Sequence, residues 1–294
     1  MNSISARPRT LIVINPISGD MDKDHILDEI IGHLNNDQLF EVYRTCGNKD
    51  VEIIKETILR FRPSRIIVVG GDGTIKLIVE ALNGQKLPIG IIPAGSANGL
   101  ATNLSIPEDQ SAAIKIAFGN KTRLIDNLLI EGDLGLHISD MGINAELVEK
   151  YCKSRIRGHF GYAINTIPAL INSDIPYRFT LDINGGQREV TCVMLAFANS
   201  RKFGTGALVN PNGSIDDGMF EVLIFKNLDP IGIFRTLIHS ENLDSDFVES
   251  IRVTSVRVRS DIPISLQIDG EPCGKKREVN IEIIPQNMEI FVQG

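Results

Sequence analysis

The sequence predicts an α/β domain on a doubly wound, mostly parallel sheet, followed by a second, mainly antiparallel β-sandwich domain. Two observations predict it. Over the first 125 residues, short β-branched runs alternate with apolar stripes at helical spacing, the rhythm of parallel strands joined by crossover helices. Beyond Asp126, strand-like runs predominate, separated by turn signals such as Asn184-Gly185-Gly186, Asn212-Gly213 and Asp269-Gly270, as in antiparallel hairpins. The expected domains are therefore 1–125 and 126–285, with 286–294 returning to the first.

Each element has its own justification. Thr10 to Ile14 is an apolar run closed by Asn15-Pro16, as a buried parallel strand reads. Ile26, Leu27, Ile30, Ile31 and Leu34 form one stripe over residues 22–34, which predicts a helix. Leu39 to Tyr43 is the second strand, and Val51, Ile54, Ile58 and Phe61 mark the next helix, with Asn48 and Asp50 expected as caps. Arg65 to Val69 is the third strand, and Ile75, Ile78, Val79 and Leu82 mark its helix. Pro88 to Ile92 is the fourth, leading through Pro93-Ala94-Gly95-Ser96 into a further helix. In the second half the predicted strands are 127–131, 135–140, 177–183, 188–197, 219–225, 251–258, 263–268 and 278–284. Helices over about 144–171 and 230–239 interrupt them.

Composition excludes several classes. Of 294 residues, 43% are hydrophobic and 23% charged, as in a soluble globular protein. No run of 18 apolar residues occurs and the first ten residues hold no apolar core of a signal peptide, so the expectation is a cytoplasmic protein without a transmembrane segment. The net charge of −7 argues against nucleic acid as a partner. The basic stretch Lys150 to Arg157 reads as a solvated helix face. Cys46, Cys152, Cys192 and Cys273 lie far apart and read as reduced thiols. His137 and His159 lie alone, without metal-ligand spacing, and read as structural.

The chemistry concentrates at strand ends. Gly70-Gly71-Asp72-Gly73-Thr74 lies between a buried strand and an amphipathic helix. Consecutive glycines let the backbone approach a ligand, and the amides of such a turn, with the helix N-terminus behind them, make an anion site. Asp72 at its tip implies a Mg²⁺ or a hydroxyl proton as partner as well. Asn15-Pro16-Ile17-Ser18-Gly19 and Pro93-Ala94-Gly95-Ser96-Ala97-Asn98 follow two other strands and belong at the same sheet edge, where doubly wound sheets bind ligands. Together the three loops read as a nucleotide site, and the chain as an ATP-dependent kinase.

These segments resemble the nucleotide-binding motifs of the diacylglycerol kinase catalytic domain family, which includes bacterial lipid kinases, sphingosine kinases and ceramide kinases. The resemblance continues through Asp140-Met141-Gly142-Ile143-Asn144-Ala145, Ser214-Ile215-Asp216-Asp217-Gly218-Met219 and Ile268-Asp269-Gly270-Glu271-Pro272, so it covers nearly the whole chain. It implies ATP and Mg²⁺ as cofactors and a lipid alcohol at the membrane surface as acceptor. The 1–125 domain would then hold the nucleotide and the 126–285 domain the lipid, with the protein peripheral at the membrane and compatible with a homodimer. By the same resemblance Gly71, Asp72, Gly73 and Thr74 hold phosphates and magnesium. Asn15, Ser18, Gly19, Ser96 and Asn98 contact the nucleotide, and Thr45 lies near the adenine. Asp269 and Glu271 are catalytic carboxylates, with Asp269 favoured as the base and Asp72 a third candidate. A structural Mg²⁺ is implied at Ser214, Asp217 and Met219, through Asp217 and two carbonyls. Many bacterial members carry Asn-Asp where this chain has Asn98-Gly99, and Gly-Ser-x-Asn is closer to sphingosine and ceramide kinases, which leaves the acceptor lipid open.

Two other classes stay open. One is a soluble-substrate kinase of the NAD kinase type, which shares the Gly-Gly-Asp-Gly-Thr loop. The other is a nucleotide-binding regulator without turnover, against which the three carboxylates Asp72, Asp269 and Glu271 argue. For Asp269-Gly270 taken alone, a hairpin turn is the competing explanation.

Overall fold

The computed structural model describes residues 7–19, 21–34, 38–96, 98–153, 176–203, 207–208, 210, 213–227 and 247–294. They fall into two compact units. One runs up to Asp126 and takes in Gln286–Gly294; the other comprises Asn127–Phe203 and Ala207–Pro285.

The first unit alternates strand and helix as the sequence predicts: β1 (Arg9–Ile14), α1 (Lys23–His33), β2 (Leu39–Arg44), α2 (Asp50–Phe61), β3 (Arg65–Gly70), α3 (Asp72–Leu82), β4 (Ile89–Pro93), α4 (Gly99–Asn103) and α5 (Gln110–Ala117). The strands are parallel in the order β2-β1-β3-β4. β1, β3 and β4 bury nearly every residue because helices cover such a sheet on both faces. Their side chains interlock with Ile26 and Ile30 of α1 and Ile114 and Ala117 of α5. Gly90 lets α5 lie close, since a Cβ there would fall 2.8 Å from Ile67 and clash with Ala117. This strand order puts the topological switch point between β1 and β3, where a doubly wound sheet opens a crevice beyond its strand ends.

Near its end the chain returns to this unit. Ile290, in β16 (Glu271–Phe291), pairs in parallel with Ile89 of β4. Arg65 lies 4.8 Å from the Phe291 ring centre and 5.5 Å from that of Phe118, and its guanidinium donates to the Ala117 carbonyl at 3.2 Å. Cation–π contacts contribute about 0.5–1 kcal/mol each at exposed sites and about 2 when desolvated.

The second unit contains β5 (Thr122–Ile130), β6 (Asp133–Gly135), β7 (Ile138–Gly142), α6 (Ile143–Lys153), β8 (Tyr177–Ile183), β9 (Gly186–Cys192), β10 (Met194–Ala198), β11 (Lys202–Phe203), β12 (Ala207–Leu208), β13 (Phe220–Phe225), β14 (Val248–Val253), β15 (Ser255–Ile268) and most of β16; β5 begins in the first unit. Its strands pair antiparallel in the order β14-β13-β10-β7-β15-β16, with the β8–β9 hairpin on β15 and β5 on β16. Phe179, Phe197, Phe220, Leu195, Val258 and Val279 lie in its core.

Three predicted boundaries shift. The run 188–197 is two strands, because Val193 turns its amide to the Phe225 carbonyl. The runs 251–258 and 263–268 belong instead to β14 and to one long β15, whose register slips between Arg259 and Ile264. Pro263 lies in that slip and has no amide to give the ladder. Of the helix expected over 144–171, α6 is the described part. Its remainder, the helix expected near 230–239 and the side chains of Lys150 to Arg157 lie outside the described residues.

Candidate functional site

Side chains tie the three glycine-rich loops of the first unit to one another. Asn15 ends β1 with its amide on the Val69 carbonyl at 3.0 Å, and its side-chain nitrogen donates to Thr74 Oγ1 at 3.3 Å. Its side-chain oxygen accepts from the Ile17 amide at 3.2 Å, an Asx turn that folds the loop back. Ser18 donates to the Asn15 and Ala94 carbonyls at 3.1 and 3.2 Å, and the Lys23 ammonium, buried at the start of α1, donates to the same Ala94 carbonyl at 2.7 Å. Gly19 has φ +58°, and a Cβ there would come within 2.9 Å of the Ala94 oxygen. That close approach requires glycine.

The loop after β3 leads into α3. Gly71 is its N-cap and no side chain caps the helix, so its first-turn amides have no protein side chain competing for them. Asp72 does not point its charge into that turn. Its side chain is buried and accepts from the Gly99 amide at 2.8 Å and the Leu100 amide at 3.0 Å. It therefore satisfies the buried amides at the start of α4, in the loop after β4. That loop closes on itself: Asn98 Oδ1 accepts from the Gly95 amide at 3.0 Å and Asn98 Nδ2 donates to the Gly95 carbonyl at 3.2 Å. Ser96 is exposed. Thr45 is buried just past β2, its amide on the Ile14 carbonyl at 2.9 Å.

The helix caps expected at Asn48 and Asp50 are a correction. The N-cap of α2 is Lys49, in the left-handed conformation and without a side-chain bond. Asp50 lies inside the first turn and grips the preceding loop, accepting from the Tyr43 hydroxyl at 2.6 Å, the Cys46 amide at 3.0 Å and the Gly47 amide at 2.8 Å. Burial pushes the Asp50 carboxyl up, but these donors outweigh it and hold it below the usual range. Burial and the neighbouring Asp50 push the Tyr43 hydroxyl far above its ordinary value.

In the second unit, Asp269-Gly270 is a two-residue hairpin between β15 and β16, with φ +49° and +87°, the signs of a type I′ turn. Asp269 is buried under it. Its carboxylate accepts from the Leu136 amide at 2.6 Å and the His137 amide at 3.1 Å, and lies 2.8 Å from His137 Nδ1. Burial raises its pKa, but His137 and the two amides reverse the sign and hold it below the usual carboxylate range. Glu271 is exposed, on the first residue of β16. The two carboxylates thus occupy different environments, one satisfied internally and one facing solvent. The isolation of His137 along the chain gave no hint of its partner, because only the pairing of β7 with β15 brings it to Asp269.

Ser214, Asp217 and Met219 share a turn before β13. Ser214 Oγ donates to Asp216 at 2.6 Å, the Met219 amide donates to Asp217 Oδ1 at 3.1 Å, and Arg252 pairs with Asp217 Oδ2. Arg252 also lies 3.8 Å from Glu221, a buried carboxylate raised by its burial and held by Asn210 at 2.6 Å. Both Asp217 oxygens have donors and a guanidinium already supplies the cation, so these residues do not fit a divalent ion as they stand. Among the described residues no group of three His, Cys, Asp or Glu side chains gathers to hold a metal.

The chain thus combines an α/β unit carrying Gly-rich loops at its strand ends with a second, mainly antiparallel β unit. Residues 9–130 match the diacylglycerol kinase catalytic domain, and residues 138–292 match the YegS C-terminal NAD kinase beta sandwich-like domain. A probable lipid kinase YegS-like protein of Chromohalobacter salexigens is 32% identical over 71% of this chain and 70% of its own. A diacylglycerol kinase of Mycobacterium tuberculosis is 28% identical over 70% of each chain. The crystal structure of a putative diacylglycerol kinase from Bacillus anthracis superposes with a TM-score of 0.78 over 99% of both chains at 19% identity, which shows the shared fold. The chain belongs to the lipid kinase family of diacylglycerol kinases and YegS-like proteins. No described helix is long and apolar enough to cross a membrane.

Proposed function

We propose that this protein transfers the γ-phosphoryl group of Mg-ATP to the hydroxyl of a lipid alcohol. The observation that carries the reading is the cross-linking of the three loops: Asn15 to Thr74, Ser18 and Lys23 to Ala94, and Asp72 to Gly99 and Leu100. A rim cross-linked in this way is preorganised, which is what electrostatic stabilisation of phosphoryl transfer requires. In this reading the first-turn amides of α3 and the Gly71 to Thr74 backbone hold phosphate oxygens. Asn15, Ser18, Gly19, Ser96 and Asn98 line the nucleotide, and Thr45 borders the adenine. Magnesium bound with the nucleotide would supply charge neutralisation at the phosphates.

Of the three candidate bases, Asp72 and Asp269 already spend both oxygens on amides, whereas Glu271 faces solvent. Glu271 is therefore assigned as the group that takes the lipid hydroxyl's proton. The bond from that oxygen to the γ-phosphorus forms as the bond to the β,γ-bridging oxygen breaks, and ADP leaves. The test is purified protein with Mg-ATP offered diacylglycerol, sphingosine or NAD. Phosphorylation of a lipid alcohol with NAD untouched is expected; phosphorylation of NAD alone refutes the reading.

A further inference from the structure

Asp140, in the middle of β7, is completely buried, and its Oδ2 accepts from Asn144 at 2.6 Å and from Gln267 Nε2 at 2.5 Å. The β7–β15 register sets Gln267 directly opposite it. The other end of the same amide, Gln267 Oε1, accepts from the Gly270 amide at 2.6 Å. A chain of hydrogen bonds thus runs from α6 through Asp140 and Gln267 to the centre of the turn immediately before Glu271.

We propose that Asp140 is a positioning residue: through Gln267 it holds the Gly270 amide, and with it the turn that presents Glu271, and protonation of Asp140 loosens that hold. The role of Glu271 rests on the lipid kinase reading above; the hydrogen-bonded chain does not. An ionised carboxylate binds both amide donors about twice as strongly as a neutral acid does, so loss of its charge weakens the grip on Gln267. Burial pushes Asp140 up to about 7, against the opposing pull of Gln267, Asn144 and the Ala145 backbone amide. Its Oδ1 makes no hydrogen bond of ordinary geometry and is where the proton is taken up.

The titratable groups packed nearby have partners of their own. On α6, Glu149 accepts from Ser265 and Glu146 from Tyr177. At the ends of β15 and β7, Asp269 and His137 pair with each other. β10, on the other side of β7, carries only Met, Leu, Ala and Phe. Stability does not explain an acid here. A carboxyl raised by burial makes the fold less stable as pH rises from its unfolded value toward the folded one, because the unfolded chain ionises first. An asparagine would keep both acceptor bonds without that cost.

The test follows the Gly270 amide and the reaction separately. The chain contains three Asp-Gly steps, at Asp72-Gly73, Asp217-Gly218 and Asp269-Gly270, so carbonyl-labelled Asp with amide-labelled Gly reduces the spectrum of the intact protein to three amides, of which Gly270 is the one missing from Asp269→Asn. In wild type its shift moves with a midpoint near the Asp140 value of about 7; in Asp140→Asn it stays flat. Wild-type kcat falls on the acid side of that midpoint at constant KM for ATP. Asp140→Asn and Gln267→Met hold kcat at the wild-type acid-side level at every pH. A Gly270 shift without that midpoint, or one that keeps it in Asp140→Asn, overturns the proposal, as does a titrating amide with a pH-independent kcat. Absence of lipid phosphorylation at every pH refutes the kinase reading, while the amide shift still decides the coupling.

Discussion

Asp72→Ala separates a structural carboxylate from a chemical one. In the structure Asp72 holds two buried amides, Gly99 at 2.8 Å and Leu100 at 3.0 Å, and removing it leaves both donors without a partner. An unsatisfied buried donor costs about 1–3 kcal/mol. Some relaxation and water entry bring the pair to about 2–4 kcal/mol, near the upper end for loss of a helix cap. For a domain of this size that lowers Tm by roughly 10 °C. Calorimetry of the variant, with amide hydrogen exchange at Gly99 and Leu100, measures the effect, and a kinase assay below the variant's Tm measures turnover. Asp72→Asn keeps one acceptor and is expected to lose about half as much stability. Turnover should fall in both variants, more in the alanine, because the loops proposed to hold the nucleotide lose their cross-link. Asp72→Ala with wild-type Tm, wild-type exchange at Gly99 and Leu100, and no turnover would refute this reasoning and return Asp72 to the proton or the metal.

Two further outcomes are expected. Asp269→Asn removes an anion from His137 and replaces one amide acceptor with a donor, so it should cost about 3 kcal/mol at neutral pH. Because the folded Asp269 is held below its ordinary value, its contribution is present above the unfolded value of about 4 and is lost as pH falls through the folded one. Urea titrations should therefore show the gap between wild type and variant closing below about pH 4; a gap independent of pH would contradict the assignment. At the Asp217 turn, chelator and added Mg²⁺ should leave the wild-type Tm unchanged, since Arg252 already neutralises Asp217 and borders Glu221. Arg252→Ala should lose less than about 1 kcal/mol, as a half-exposed ion pair does, and should gain a rise in Tm with Mg²⁺; a wild-type Tm that drops with chelator would restore a structural metal there.

The first unit was legible because its physics is local. A parallel strand covered on both faces must be apolar throughout, so Leu11 to Ile14 and Ile66 to Val69 stand out in the chain and are fully buried in the fold. The glycine loops announce themselves for a similar reason, since close approaches such as Gly19 to Ala94 exclude every other residue type. β16 was read only in fragments. It runs 21 residues with many exposed and charged positions, and a strand half in water has no continuous apolar signal. The pairing that assembles the polar network of the second unit left no local trace. Asp140, His137, Gln267 and Asp269 meet because β7 pairs antiparallel with β15, and nothing near either strand in sequence encodes that pairing.

The three carboxylates show what the structure adds to a motif. By charge alone Asp72, Asp269 and Glu271 are equivalent candidates for accepting a proton. They separate once the groups already bonded to each are counted. Asp269 is held ionised by His137 and two amides, and whatever keeps a carboxylate ionised also makes it a poor acceptor of a proton. Asp72 can turn toward a substrate only by releasing the start of α4. Glu271 has no such commitment, but an exposed side chain on a hairpin is useful only if its backbone stays fixed. The type I′ turn beside it fixes one side, and the Gln267 amide on Gly270 fixes the centre. Asp269 clamps the same turn through the Leu136 and His137 amides, so in the Asp-Gly-Glu segment one carboxylate holds the geometry and the other faces solvent, as the proposed proton transfer requires.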